Sequence, residues 1–556
     1  MSTSNHHPLL HTPSHKPSHH KTLCLILCAA AIILGSSALL AVHFIKTGPP
    51  SIPSPLRNVC HKAVDQGSCL ALISEVVPYG AALFENDPRS LLEVFVKKSL
   101  LQTQKAVEEA RDAGRKINDP REQAALGDCV VLLEMSMDRM RDAITSLTKS
   151  DAESQADAHT WLSSLLTNYV TCSDGLQDSS VAMKPILEDL ISRAKASLVM
   201  FATTLPPKPS ETLIEHLAGQ FPSWVTSGDR RLLSASSVEA AVKANVVVAK
   251  DGSGNYKTVK EAIASAPDKG TNRYVIYIKK GTYKEKVEVG KKKTNVMLVG
   301  DGMDQTIITG SLNVVDGATT FNSATVAVGG DGFIAQDIWF QNTAGPEKHQ
   351  AVALRVSADK SVIHRCKVDA YQDTLYTHTL RQFYRDCSIT GTVDFIFGDA
   401  GVVLQNCKLI ARKPMSKQSN MVTAQGRTDP NQNTGTSIQN CQIIASSDLE
   451  PVKASIKSYL GRPWKEYSRT IVMQSNIGDH IDPAGWSVWQ GDFALKTLYY
   501  GEYMNKGPGA GTSKRVNWPG YHVIKSATEA KKFTVAELIQ GGQWLKSTGV
   551  TYTEGL

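Results

Sequence analysis

Two aspartates, Asp373 and Asp394, stand 21 residues apart in AYQDTLYTHTLRQFYRDCSITGTVDFIFGDAG (370–401), each beside apolar or aromatic residues. Charged groups avoid such surroundings unless they are paired, hydrogen-bonded or used in chemistry. Their spacing matches a repeat. HRCKV (364–368), YRDCSI (384–389), LQNCKL (404–409) and IQNCQI (438–443) share a polar residue, a cysteine, one further residue and an aliphatic, with cysteine separations of 21, 20 and 34. Asp373 follows Cys366 by seven residues, and Asp394 follows Cys387 by seven. The two carboxylates therefore occupy one position on consecutive repeats and are expected to stack on one face. Two such groups in partly apolar surroundings do not both ionise easily; the pair divides into a protonated acid and a charged base or nucleophile. A purely structural ladder of hydrogen-bonded aspartates is the alternative.

The neighbours favour chemistry. Gln372 precedes one aspartate, and Gln350 lies 23 residues before Asp373, about one repeat earlier. Their amides can donate hydrogen bonds to an oxyanion. YLGRPWKEYSRT (459–470) adds Arg462, able to pair with a carboxylate, and Trp464, a flat surface for a sugar ring. No G-x-S-x-G elbow is present, which disfavours a serine hydrolase of the α/β type. His364 and His378 read as structural. Residue types alone leave open an esterase, a glycosidase or lyase using the same carboxylates, and a non-enzymatic binding platform.

The elements that position these residues follow from the periodicity. After Asn245 short β-rich runs such as ANVVVAK, YVIYIKK and VMLVG alternate with Gly, Asp and Asn. Strands returning every 20 or so residues describe a stacked solenoid, here a parallel β-helix. The separation of 34 marks a coil with a loop insertion. Residues 60–200 are helical instead: Leu126, Val130, Leu133, Met137, Met140, Ile144 and Leu147 form one stripe, and Ile186, Leu190, Ala194, Leu198 and Phe201 another. Both read as bundle core. The chain is thus expected to be multidomain, an N-terminal all-α four-helix bundle followed by a right-handed parallel β-helix. The expected boundaries are a bundle at 52–202, a linker at 203–236 and a β-helix at 237–556. Within the linker, Arg230-Arg231-Leu232-Leu233 is a candidate processing site, because cleavage concentrates in exposed, flexible tips.

At 556 residues, with 42% hydrophobic and 20% charged residues, the chain has a globular composition. Residues 1–21 form a polar tail, cytoplasmic if the next segment is an anchor. Thr22–Ile45 carries no Lys, Arg, Asp or Glu over 24 residues, long enough for a transmembrane signal-anchor; a cleaved signal peptide is the alternative. Either directs the remainder into the secretory pathway. Besides Cys24 and Cys28, the cysteines fall in two sets of four, at 60, 69, 129 and 172 and at 366, 387, 407 and 441. An even set in an exported chain favours disulfides, and no zinc-type spacing appears. Cys60 with Cys69, and Cys129 with Cys172, are possible pairs, although sequence leaves the pairing open; in the second set Cys387–Cys407 is the expected bridge. No N-glycosylation sequon occurs. Residues 60–200 hold 15 Lys and Arg against 21 Asp and Glu, whereas 234–556 hold 38 against 29. Opposite net charges favour docking of the two units, and a basic solenoid attracts a polyanion. Nothing suggests a nucleic-acid partner.

GTYKEKVEV, TTFNSATV, QAVALR, YQDTLY, DFIFG and LGRPWKEYSRT occur in order, and WLSSLLTNYVTCSDGL lies in the four-cysteine helical part. With these stretches, residues 52–556 resemble the plant pectin methylesterases that carry an N-terminal inhibitor-like pro-region, and RRLL resembles the family's processing motif. The resemblance implies hydrolysis of the C6 methyl esters of cell-wall homogalacturonan, to pectate and methanol, by a secreted enzyme. It implies that Asp394 is the nucleophile and Asp373 the proton donor. Gln372, with Gln350, would stabilise the oxyanion. Arg462 would hold Asp394 ionised, and Thr320, Gln350, Arg462 and Trp464 would form the substrate-binding set. It implies no metal and no cofactor. The implied partners are pectin, the chain's own inhibitor-like domain, a processing protease at Arg230–Leu233 and a separate proteinaceous inhibitor. A mature chain beginning near Ser234 is the expected product.

Overall fold

The computed structural model describes residues 59–76, 88–176, 182–204 and 243–556. The expected polar tail, the apolar Thr22–Ile45 segment and the RRLL site lie outside the described residues. Among the described residues, no helix is long and apolar enough to cross a membrane.

The cysteine repeat has a backbone cause. Arg365, Asp386, Asn406 and Asn440, each immediately before one of the four cysteines, have φ of 49°, 54°, 57° and 54°. This left-handed corner suits Asn and Asp better than other non-glycine residues. It turns the chain from one sheet to the next and points the following side chain inward. Repeated coil after coil, it builds a solenoid with three faces: parallel sheets of eleven, seven and eight strands, in which every pairing is parallel. The coils stack in register, so like residues form interior ladders. Leu298, Ala335, Ile363, Tyr384, Leu404, Ile438 and Val472 make one such row, all fully buried.

The expected Cys387–Cys407 bridge is not formed. Cys366, Cys387, Cys407 and Cys441 are buried free thiols. In-register positions on parallel coils send their Cβ atoms the same way, about 4.8 Å apart, beyond the Cβ–Cβ separation that a disulfide needs. The thiols donate to carbonyls instead, Cys387 Sγ to Ile363 O at 3.3 Å and Cys441 Sγ to Leu404 O at 3.4 Å.

The outer face of the eleven-stranded sheet is also apolar. Met297, Ile334, Val362, Phe383 and Val403 pack beneath Val535, Leu538, Ile539, Trp544 and Leu545. The C-terminal stretch AELIQGGQWL is therefore a cover for that sheet.

Among the described residues, five α-helices precede the solenoid: α1 (Gln66–Ser74), α2 (Pro88–Lys116), α3 (Pro120–Leu147), α4 (Ala152–Leu176) and α5 (Met183–Thr204). Helices α2 to α5 pack in a closed ring, each on two neighbours, and α1 lies on α5. Asp119 caps α3, accepting from Arg121 N at 2.8 Å, with Pro120 at the first turn. Disulfides Cys60–Cys69 and Cys129–Cys172 tie the unit, the second joining α3 to α4. The buried face of α3 is broader than its apolar stripe: Arg139 is buried, while Val130, Met137 and Ile144 are partly exposed. The reason is a second partner. Helices α3 and α4 lie on the β-helix. Arg139 forms a two-pronged pair with Asp331 at 2.7 and 2.8 Å, and Arg381 is held between Asp157 and Asp359, both at 2.6 Å. Lys291 meets Asp138 at 2.7 Å, and Asn433 Nδ2 donates to Thr160 Oγ1 at 2.9 Å. Such pairs select one docking geometry more than they add stability.

Alkylating the native, then the denatured, unreduced protein before peptide mapping checks the thiol assignment. Cys366, Cys387, Cys407 and Cys441 are expected to label only after denaturation, while Cys60–Cys69 and Cys129–Cys172 appear as bridged peptides. A Cys387–Cys407 peptide would contradict the structure.

Candidate active site

Asp373 and Asp394 sit two residues before strands Leu375–Thr377 and Ile396–Gly398, which are adjacent in the seven-stranded sheet with Leu375 opposite Ile396. Both aspartates are left-handed, with φ of 62° and 51°, and Asp373 N donates to Val393 O at 3.0 Å. A non-glycine residue held there costs on the order of 1 kcal/mol, a strain common at functional sites. The stacking expected from the repeat is therefore present: one corner, used twice, places the two carboxyls side by side.

Their surroundings differ. Arg462 donates from Nε and an Nη to both oxygens of Asp394, at 2.8 and 2.7 Å, while its guanidinium lies 4.3 Å from the ring centre of Trp489. Asp373 has no side-chain hydrogen bond to the described residues. Both groups are nearly buried, at 8% and 6% exposure. Burial pushes the Asp373 carboxyl well above the usual carboxylate range, and the neighbouring Asp394 charge adds to that, with Arg462 opposing. Burial also raises Asp394, but its hydrogen bonds to Arg462 and the charge of Arg462 pull it back. The proton shared by the pair belongs on Asp373.

All seven residues singled out from sequence for catalysis and substrate binding line one cavity of about 520 Å³: Thr320, Gln350, Gln372, Asp373, Asp394, Arg462 and Trp464. The side-chain amides of Gln350 and Gln372 make no hydrogen bond to the described residues and are free to donate. The floor is aromatic. Tyr376 and Phe397, paired in register, stack at 4.1 Å, and Trp464 stands edge-on to both at 6.5 and 5.9 Å. Trp464 needs Gly426 beneath it, where a Cβ would come within 2.8 Å of the indole. Sequence reading missed Tyr376, Phe397, Trp489 and Lys465. Tyr376 and Phe397 stood in quoted motifs and Lys465 adjoins Trp464, but the loop bearing Trp489 gave no signal.

His378 is structural, as expected. Its ring nitrogens meet Ser357 Oγ at 2.9 Å and Thr171 Oγ1 of the bundle at 3.0 Å. Burial, reinforced by Arg355, holds it well below its ordinary pKa and therefore neutral. The cavity wall is not made by the β-helix alone: Ala125, Asp128, Leu132, Thr171, Cys172 and Asp174 of the bundle also line it.

Comparison with known proteins gives a consistent result. Residues 245–542 match the family model described as pectinesterase, and residues 54–202 match that of plant invertase/pectin methylesterase inhibitor. "Pectinesterase/pectinesterase inhibitor 18" of Arabidopsis thaliana is 56% identical, with 100% of each chain covered. "Pectinesterase/pectinesterase inhibitor" of Ficus pumila var. awkeotsang is 58% identical over 93% of this chain and 96% of its own. Among solved structures, pectin methylesterase from carrot is 63% identical and superposes with a TM-score of 0.56, covering 57% of this chain and 99% of that one. A β-helix with paired acids in its groove, matched over its length and joined to a matched inhibitor-like bundle, places this chain in the pectinesterase family.

Proposed function

We propose that the chain hydrolyses the C6 methyl esters of pectin in the plant cell wall through an acyl-enzyme on Asp394, and that its bundle restrains this activity until it is removed. The observation that carries the chemistry is the asymmetry of the acid pair. Asp394 is held as an anion by two hydrogen bonds from Arg462, while Asp373 has no cation bonded to it and keeps a proton. Asp394 Oδ attacks the ester carbonyl carbon. The tetrahedral oxyanion accepts N–H bonds from Gln372 and Gln350, a contribution of about 2.7–4 kcal/mol for one such donor in a serine protease. As the carbonyl re-forms, the C–O bond to the methoxy group breaks and Asp373 protonates the departing oxygen, releasing methanol. Asp373, now charged, takes a proton from water, which attacks the anhydride and frees both galacturonate and Asp394. Thr320, Trp464 and the Tyr376–Phe397 floor hold the sugar rings.

The restraint reading rests on the shared wall. Helices α3 and α4 roof the groove in which a polymer would lie, and ion pairs on both sides of the catalytic coils hold them there. Export fits the two disulfides of the bundle. Anchoring by Thr22–Ile45 and cleavage at Arg230–Leu233 belong to the same proposal.

With the released β-helix and highly esterified pectin, methanol is expected without new reducing ends or unsaturated products. Asp394→Asn is expected to lower kcat roughly 10³-fold or more, and Gln372→Ala about 10²–10³-fold. Reducing ends formed at the rate of substrate loss would instead indicate a glycosidase. The rate should fall on the acid side as Asp394 is protonated and on the alkaline side as Asp373 ionises. Asp373's raised pKa thus extends activity upward in pH, and Asp373→Asn should abolish turnover at every pH.

Comparing the uncleaved chain with the same protein proteolysed within 205–242 and separated from its bundle tests the restraint. The uncleaved form is expected to be about tenfold slower or more, since a tethered cover acts at high effective concentration. Equal rates would remove the restraint from the account.

A further inference from the structure

The interior row that runs through Leu404, Ile438 and Val472 takes a glutamate at its next rung: Glu502 pairs in register with Val472. Arg515 meets this carboxylate, Nε on Oε1 at 2.8 Å and an Nη on Oε2 at 3.1 Å, and both side chains are only 2% exposed. A buried pair of this kind adds little stability over apolar packing of the same volume. Here it ties other groups together. Trp486 Nε1 donates to Glu502 Oε1 at 3.3 Å and the Tyr521 hydroxyl donates to it at 3.1 Å. Arg515 also donates to Pro483 O at 3.1 Å and Gly509 O at 2.7 Å. Its side chain runs beneath Gly485, where a Cβ would come within 2.3 Å of the Arg515 Cδ.

This anchor reaches the active site through one bridge between neighbouring segments. Trp486 is buried, with its ring 4.2 Å from that of Tyr500, and its backbone pairs with Gly461. Leu460 N donates to Gly485 O at 2.7 Å and Ser487 N to Gly461 O at 3.0 Å. One residue beyond Gly461 stands Arg462; three beyond Trp486 stands Trp489. The two meet, ring centre to guanidinium, at 4.3 Å. Among the described residues, the Arg462 side chain donates hydrogen bonds only to Asp394. A long, flexible side chain keeps a two-pronged grip only when something else limits its rotation, and an aromatic face does that for a guanidinium.

We propose that Trp489 is a positioning residue, which acts by holding Arg462 on Asp394, and that the buried Glu502–Arg515 pair sets Trp489 in place through Trp486. The inference rests on the esterase reading in one respect, that Asp394 is the partner that must stay charged. The alternatives are a ring that serves only as a platform for sugar, as Trp464 would, and an ion pair that only closes the end of the solenoid core. The other groups facing the Arg462–Asp394 pair are Asp373, Tyr500 and Lys465 of the β-helix and Asp128 and Asp174 of the bundle. None of them is altered in the variants below.

Infrared spectroscopy on the intact chain follows the titration of Asp394, whose band is the one that Asp394→Asn removes. Trp489→Leu keeps apolar bulk but no ring. It is expected to move that titration up by about half a pH unit, because Arg462 lowers the Asp394 carboxyl and a looser Arg462 lowers it less. Trp489→Phe is expected to restore most of the wild-type value. Trp486→Phe keeps a ring against Tyr500 and removes the bond to Glu502; a smaller shift in the same direction is expected. A downward shift in Trp489→Leu would mean that the ring works by keeping water from Asp394, and no shift would leave it a sugar platform; either result overturns the proposal. A shift in Trp489→Leu with none in Trp486→Phe overturns the part given to Glu502 and Arg515. The titration needs no substrate, so methanol release by the wild type reports on the esterase reading separately.

Discussion

Parallel strands that pair in register reproduce the same backbone corner on every coil, and this repetition sets the geometry of the site. A left-handed residue before strand Leu375–Thr377 and its counterpart before Ile396–Gly398 are both aspartates. Because register is fixed by the ladders of buried side chains beneath them, the two carboxyls cannot drift apart without unpacking the core. Arg462, arriving from a later coil and backed by Trp489, then makes the pair unequal. Proximity comes from the fold and inequality from one cation. Neither alone separates a protonated carboxyl from an ionised one at neutral pH.

The bundle changes the electrostatics of that pair as well as covering it. Its helices supply part of the wall that excludes water, and burial is the largest cause of the upward shift on both aspartates. The interface that holds these helices is charged in both directions, with Arg139 of the bundle on Asp331 and bundle acids on Lys291, Arg381 and Lys465. Net charge alone, acidic bundle against basic solenoid, understates that pattern.

Much of this was legible in the chain because repetition was. The cysteine repeat announced coils, and counting seven residues from each cysteine aligned Asp373 with Asp394 before any coordinates. Gln350, Gln372, Arg462 and Trp464 followed from residue type and motif, and all reach the same cavity. Failures came where the signal was not periodic. Cys387 and Cys407 were expected to bridge because they stack, yet stacking is what keeps their Cβ atoms parallel and too far apart. Trp489 comes from a loop without pattern. The C-terminal cover was passed over because four- and five-residue helices leave little periodicity. The second buried face of α3 was illegible for another reason: Arg139 looks like a solvent residue until the β-helix supplies Asp331.

The unequal sharing of one proton between stacked carboxyls is the claim on which the proposed catalysis and its pH response depend. Infrared difference spectroscopy at neutral pH, wild type against Asp373→Asn, measures it directly. A protonated-carboxyl C=O band is expected in wild type and missing in the variant, while the ionised band of Asp394 persists. A spectrum in which that band survives Asp373→Asn but disappears in Asp394→Asn would put the proton on Asp394 and overturn the unequal sharing.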